Sequence, residues 1–364
     1  MNPHNAVLPT ANETDDHLLS ILGRGSVNLG ATANTERLML MMTRSCQLRC
    51  GYCWVEKTET GPSLPIAVAQ EAIDWLMHSK RQKLEIQFFG GEPTTQWDTL
   101  LTLLNYARTH PNRNGRALEF IVTTNGIGMS EERARQLSAP DLLVLFSLDG
   151  DATTHRRFRP IHNSGASNPT WTQKNAWQQI ENSIGYLNDS GVRWFMNAVV
   201  PPADAAHVME RYTFALNHDV PALQLNYAVG MKWPERRVHE YLNGLITVMR
   251  CHRKTEPKMQ LYNWRSACEP VMLSDDLIVD VDGTVLHDGA IFLERGFPEL
   301  RQHYHRHALS RLNDFDSCRW SLAQLCDVMC QAYKEDPEKL ETVLQNIRMG
   351  AAVDWVIETL RNER

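Results

Sequence analysis

A chain of 364 residues with 43% hydrophobic side chains can bury a sizeable core and exceeds the usual single-domain length, so one large α/β domain plus a smaller one is expected. The net charge of −6, with Lys and Arg scattered among Asp and Glu, leaves no basic footprint and argues against nucleic acid as a partner. No apolar run approaches the roughly 18 residues of a membrane span, and the polar start MNPHNAVLPTANETDD lacks the regions of a secretory signal, so no membrane partner and a cytoplasmic location are expected. In that reducing compartment, clustered cysteines read as metal ligands before disulfides.

Residues 1–35 are mostly polar, carry no sustained period, and are expected to form an irregular leader. From Glu36 the run ERLMLMMT reads as a buried strand feeding MMTRSCQLRCGYCW, where Cys46, Cys50 and Cys53 are spaced C-x3-C-x2-C. With 8 cysteines in the chain, this spacing arises by chance roughly 0.004 times, which removes accident as an explanation. Soft thiolates favour Zn, Cu(I) or iron–sulfur clusters, and three within one short loop reach a single centre at little closure cost. Three ligands leave a four-ligand site one short, so the triplet alone also suits a zinc site completed by a distant Cys or His.

The pattern then alternates. Helices are expected over 65–79, 96–109, 130–138, 177–189, 203–217 and 235–252, and strands over 84–89, 118–123, 142–148, 193–200 and 222–229. Six strands alternating with helices, the first included, predict parallel βαβ units with reactive loops at the strand C-termini. The alternation itself suits either a partial (β/α)6 barrel or an open doubly wound sheet. The strand ends carry suitable groups: Gly90-Gly91-Glu92-Pro93, Thr124-Asn125-Gly126, Ser147-Leu148-Asp149-Gly150, and Asn197 within RWFMNAVV. The two glycines would let backbone approach a ligand, and Glu92 offers a carboxylate to a cation.

The cysteine triplet, with Tyr52 before its last member, resembles the cluster loop of the radical S-adenosylmethionine (radical SAM) superfamily. That resemblance implies a [4Fe–4S] cluster held by Cys46, Cys50 and Cys53, with S-adenosyl-L-methionine on the fourth iron. GGEP looks like the family motif whose backbone and acid hold the SAM amino group, here Gly90, Gly91 and Glu92. The TNG, SLDG and His155-to-Pro160 (HRRFRP) stretches resemble the peptide- and protein-modifying branch that includes the anaerobic sulfatase maturases. By that resemblance Asn125, Ser147 and Asn197 contact SAM; Asn197 reads equally as a strand residue with a satisfied side chain. It also implies a partial (β/α)6 TIM-like barrel and a one-electron donor such as flavodoxin or ferredoxin.

Beyond the last helix of the alternation, residues 276–281 (DLIVDV) and 284–287 (TVLH) read as a hairpin turned by Asp282-Gly283. The region resembles the SPASM or twitch extension of the same branch. Cys268 and Gly283 fit its pattern, while His287 stands where a cysteine is expected, and only Cys318, Cys326 and Cys330 follow. Three readings stay open for Cys268, Cys318, Cys326 and Cys330: one auxiliary iron–sulfur cluster, a zinc site, or packing as small hydrophobes. Asp288 falls where the sulfatase maturases carry a carboxylate assigned as general base, and reads equally as a solvated turn residue. Residues 336–364 form a charged helix with an apolar stripe.

The expected organisation is a leader over 1–35, the barrel over 36–256, a degenerate extension over 257–335 and a terminal helix over 336–364. The implied function is a radical SAM maturase acting on a side chain of a ribosomally made peptide or protein. The alternatives are a radical SAM enzyme for an amino acid, sugar or other metabolite, and a non-catalytic metal-binding scaffold.

Overall fold

The computed structural model describes residues 8–23, 35–57, 61–162, 172–264, 277–287, 295–303, 307–308 and 321–363. Its strands are β1 (Thr35–Thr43), β2 (Lys83–Gly90), β3 (Ala117–Thr124), β4 (Leu142–Ser147), β5 (Arg193–Val200), β6 (Ala222–Tyr227), β7 (Gln260–Leu261), β8 (Leu277–Val279), β9 (Thr284–His287) and β10 (His307–Ala308). They form one sheet in the order β10-β9-β8-β1-β2-β3-β4-β5-β6-β7. Its helices are α1 (Ala11–Gly23), α2 (Ile66–Leu76), α3 (Trp97–Arg108), α4 (Glu131–Gln136), α5 (Ala152–Phe158), α6 (Gln173–Asp189), α7 (Val208–Asn217), α8 (Glu235–Thr255), α9 (Leu300–His303), α10 (Leu322–Ala332) and α11 (Pro337–Asn362).

From β1 to β6 every neighbour is parallel and the spatial order follows the sequence. A doubly wound sheet reverses its order at a switch point; this one does not, so same-handed crossovers stack the helices on one side. Burial shows the same asymmetry. On β3, Leu118, Phe120, Val122 and Thr124 are buried while Glu119, Ile121 and Thr123 are only half-buried, and β4 alternates likewise. A parallel sheet covered on both faces would bury both sets. Along β3 and β4 one face is less covered, the inner wall of a partial barrel that stays open among the described residues, whereas β1 and β2 are buried on both faces.

Two regions differ from the sequence expectation, and the terminal helix forms as expected. The leader contains a helix, α1, started by a capping box in which Thr10 Oγ1 accepts from Glu13 N (3.2 Å) and Glu13 Oε2 accepts from Thr10 N (2.8 Å). This helix lies on α11, tied by His17 to Asp354 (2.9 Å) and by Arg348 to Asp15 (2.8 Å). The β8–β9 hairpin forms as expected, yet β8 pairs parallel with β1 and so extends the barrel sheet itself. Helix α11 packs against α8 and α1, and its buried Asn346 holds the loop after β6: Oδ1 accepts from Gly230 N (2.9 Å) and Nδ2 donates to Met231 O (2.8 Å).

Candidate active site

The cysteine loop leaves the fully buried end of β1 and is held by backbone on two sides. On one, Arg49 N donates to Pro160 O (2.8 Å), Gly51 N to Phe158 O (2.9 Å) and His162 N to Gln47 O (2.9 Å), so the residues after α5 run as a strap beside the loop. On the other, Gly91 N donates to Thr43 O (2.6 Å) and Glu92 N to Ser45 O (2.8 Å). A Cβ on Gly91 would lie 2.1 Å from the Ser45 carbonyl oxygen. The glycine requirement expected from a ligand's approach is thus met first by the cysteine loop's own backbone.

Cys46, Cys50 and Cys53 are free thiols, the first two buried and the third half-buried. Burial raises the Cys46 thiol to about 11 and also pushes Cys50 up. The Lys57 ammonium sits among them, 3.5 Å from Cys46 Sγ and hydrogen-bonded to Cys53. Burial opposes its charge, but the sulfurs of Cys53, Cys50 and Cys46 raise its pKa overall. Three sulfurs converging on one cation form a pocket whose donor chemistry suits a cationic iron–sulfur centre. Among the described residues, the one set of three His, Cys, Asp or Glu whose ligand atoms all lie within 4.8 Å of each other is His17, Asp354 and Glu358.

Glu92 and Asn125 stand beside this loop. The buried Glu92 carboxylate brackets two strand ends: Oε1 accepts from Thr94 N (3.1 Å), Thr94 Oγ1 (2.7 Å) and Thr124 Oγ1 (2.8 Å), and Oε2 from Asn125 N (2.7 Å). Burial raises its pKa against the pull of those hydrogen bonds. Oε2, with Asn125 N its one donor among the described residues, keeps acceptor capacity for a further cation. Asn125 Nδ2 donates to Gln47 Oε1 (3.2 Å) and reaches Cys46 Sγ (3.7 Å). Ser147 and Asn197 are register partners on β4 and β5, half-buried on the less covered face. Asn197 Oδ1 accepts from Asn226 Nδ2 (2.6 Å), so part of its side chain is satisfied within the sheet. Five of the expected positions (Gly90, Gly91, Glu92, Asn125 and the triplet's Cys46) meet at one strand-end cluster, and Ser147 and Asn197 line the wall beside it.

The sequence reading missed the pair beneath the loop. Asp149 and Arg159 form a buried bidentate ion pair, with both contacts at 2.9 Å, and Asp149 also accepts from Tyr52 OH and from Val199 N (2.9 Å). Burial works against both charges, yet Arg159 holds Asp149 below its ordinary range and Asp149 raises Arg159 further. The Arg159 guanidinium lies 5.4 Å from the Tyr52 ring centroid. SLDG and RFRP thus join through their charges to seat the cysteine loop. His155, in the same stretch, is buried with no hydrogen-bond partner on either ring nitrogen, and burial, then Arg159, lowers its pKa to about 4. Asp280, at the hairpin turn, receives Arg44 (2.8 Å) and Arg301 (2.5 Å), and Arg295 Nη1 donates to Cys50 O (3.2 Å).

Cys326 and Cys330 lie one turn apart on α10, both half-buried. Burial, then neighbouring Cys330, raises the Cys326 thiol to about 12. Cys268, Cys318 and Asp288 lie outside the described residues. No helix among the described residues is long and apolar enough to cross a membrane.

Comparison with known proteins agrees with this geometry. Residues 40–215 match the Radical SAM superfamily model. Over 187 residues, 50% of this chain and 47% of the relative, the chain is 24% identical to a cysteine-type anaerobic sulfatase-maturating enzyme of Clostridium novyi (strain NT). The chain spans less than half the length of the curated relatives it matches. In three dimensions it is similar to native anSMEcpe with bound AdoMet, with a TM-score of 0.65 at 16% identity over 90% of this chain and 99% of that one. It is also similar to Streptococcus suis SuiB bound to precursor peptide SuiA, with a TM-score of 0.54 at 13% identity over 86% and 74%. These likenesses show the fold, the partial TIM barrel.

Proposed function

Because residues 40–215 are a radical SAM domain, which works with a [4Fe–4S] cluster and S-adenosylmethionine, we propose that the protein abstracts hydrogen from a side chain of a peptide or protein. One observation carries the reading: three free cysteine sulfurs of one short loop surround a single cation beside the buried Glu92, with no fourth protein sulfur in the loop. Bound there, the cluster and S-adenosylmethionine would together supply the one-electron chemistry that starts hydrogen abstraction from substrate.

The chain's own residues bind and orient. Cys46, Cys50 and Cys53 would hold the cluster. Glu92 Oε2 offers its remaining acceptor capacity to the SAM amino group beside Gly90 and Gly91, and Ser147 and Asn197 border the SAM position. Asp288 takes the role of proton acceptor that the resemblance gives it. A ferredoxin or flavodoxin supplies the electron. Peptide rather than metabolite is favoured because SuiB carries a precursor peptide on this same fold.

The test is anaerobic reconstitution followed by dithionite and SAM. We expect 5′-deoxyadenosine by mass spectrometry from the wild type and none from Cys46→Ala/Cys50→Ala/Cys53→Ala. A candidate peptide substrate deuterated on its side chains should pass deuterium to 5′-deoxyadenosine. A colourless protein with stoichiometric zinc and no 5′-deoxyadenosine would leave the scaffold reading standing instead.

A further inference from the structure

We infer that Asn125 is a positioning residue that acts on the cluster through its Cys46 ligand, raising the reduction potential by an N–H···S hydrogen bond, and is not itself a SAM contact. This rests on the proposed cluster at Cys46, Cys50 and Cys53. The side chain is 6% exposed and its orientation is fixed from both ends. Oδ1 accepts from Ile127 N (2.9 Å), which places Nδ2 on the other side. An amide nitrogen carries two hydrogens, and Nδ2 has two partners, Gln47 Oε1 at 3.2 Å and Cys46 Sγ at 3.7 Å. No donor is left over for a ribose or carboxylate.

Cys46 is well placed to feel this. Its sulfur also accepts from Leu48 N (3.4 Å) and lies 3.5 Å from Lys57 Nζ. Donors to a ligating sulfur withdraw electron density and favour the more negative, reduced cluster, so each raises the potential. The Leu48 donor is backbone and survives any side-chain change. Asn125 is instead anchored through its main chain, where N donates to Glu92 Oε2 (2.7 Å), so the strand end that carries Glu92's bracket also aims the amide at the sulfur.

The experiment is spectroelectrochemical titration of the reconstituted cluster, with iron content, SAM affinity and resonance Raman Fe–S(Cys) stretches measured on the same samples. Asn125→Ala should keep its iron, lower the midpoint potential, raise an Fe–S(Cys) stretching frequency and change SAM affinity less than threefold. Asn125→Asp, which keeps the acceptor for Ile127 and adds a charge, should fall lower still. Gln47→Leu, which releases the amide without touching the strand end, should shift the potential the same way by less. Should Asn125→Ala fail to hold iron, the Gln47→Leu shift decides. An unmoved potential in the iron-loaded variant, or a SAM affinity weakened tenfold or more with the potential unchanged, overturns the inference. A wild type without an iron–sulfur chromophore sinks the underlying cluster reading instead.

Discussion

The cysteines of the two ends of the chain sit in contrasting surroundings. Those at 46, 50 and 53 lie in a loop gripped by the strap at 158–162, by the Gly91 and Glu92 amides, by Tyr52 on Asp149 and by Arg295 from beyond the hairpin. Cys326 and Cys330 share one face of α10, half-buried on a helix whose buried residues are Leu322, Leu325 and Met329. Polar bonds around the first group fix its loop in place. The second group is positioned only as far as helix packing positions any side chain.

The contrast can be broken hardest at the buried ion pair. Arg159→Leu leaves Asp149 charged and uncompensated under the loop, and should cost about 3–5 kcal/mol by urea denaturation and strip most of the iron. The sign with pH follows from Asp149's lowered pKa. The pair's stabilisation is complete above the ordinary aspartate range and is lost as pH falls through the depressed value. The stability gap between wild type and variant should therefore narrow on acidification; a constant gap would show that the pair contributes nothing through ionisation.

A smaller disturbance is Gly91→Ala, whose methyl meets the Ser45 carbonyl. Displacing the loop base should cost about 1–3 kcal/mol and reduce iron bound per chain, read by denaturation and iron assay. If iron content is unchanged, the close approach of the two backbones is not what shapes the cysteine loop. The smallest effect is expected from Cys326→Ala/Cys330→Ala, about 1 kcal/mol of packing with the iron content of wild type. Loss of iron in that variant would place a second centre at the C-terminal cysteines and erase the contrast.

Much of this was legible in the sequence where signals are local. The apolar strand runs and their helical partners gave the parallel order, and the triplet and GGEP marked two loops that meet in space. What escaped is of two kinds. The α1 helix had its signal, Thr10 and Glu13 three apart, but it lay in a polar stretch where hydrophobic periodicity is too weak to draw attention to it. The rest depended on distance. Asp149 and Arg159 are readable as charges, yet their burial against each other and Tyr52 exists only once β4 and the cysteine loop are adjacent. Nor could periodicity tell that the hairpin would continue the sheet at β1, or that Asn346 would reach the loop after β6.

The pairing of β1 with β8 has a consequence for assembly. The strand that feeds the cysteine loop receives its second neighbour from far downstream, and the Arg44 to Asp280 ion pair that fastens this edge joins residues 236 apart. Contacts of such separation form late, because the intervening chain must first be closed into a loop. During synthesis the flank of β1 thus stays unsealed until about three-quarters of the chain has emerged, so the barrel's first strand keeps an open edge through most of translation.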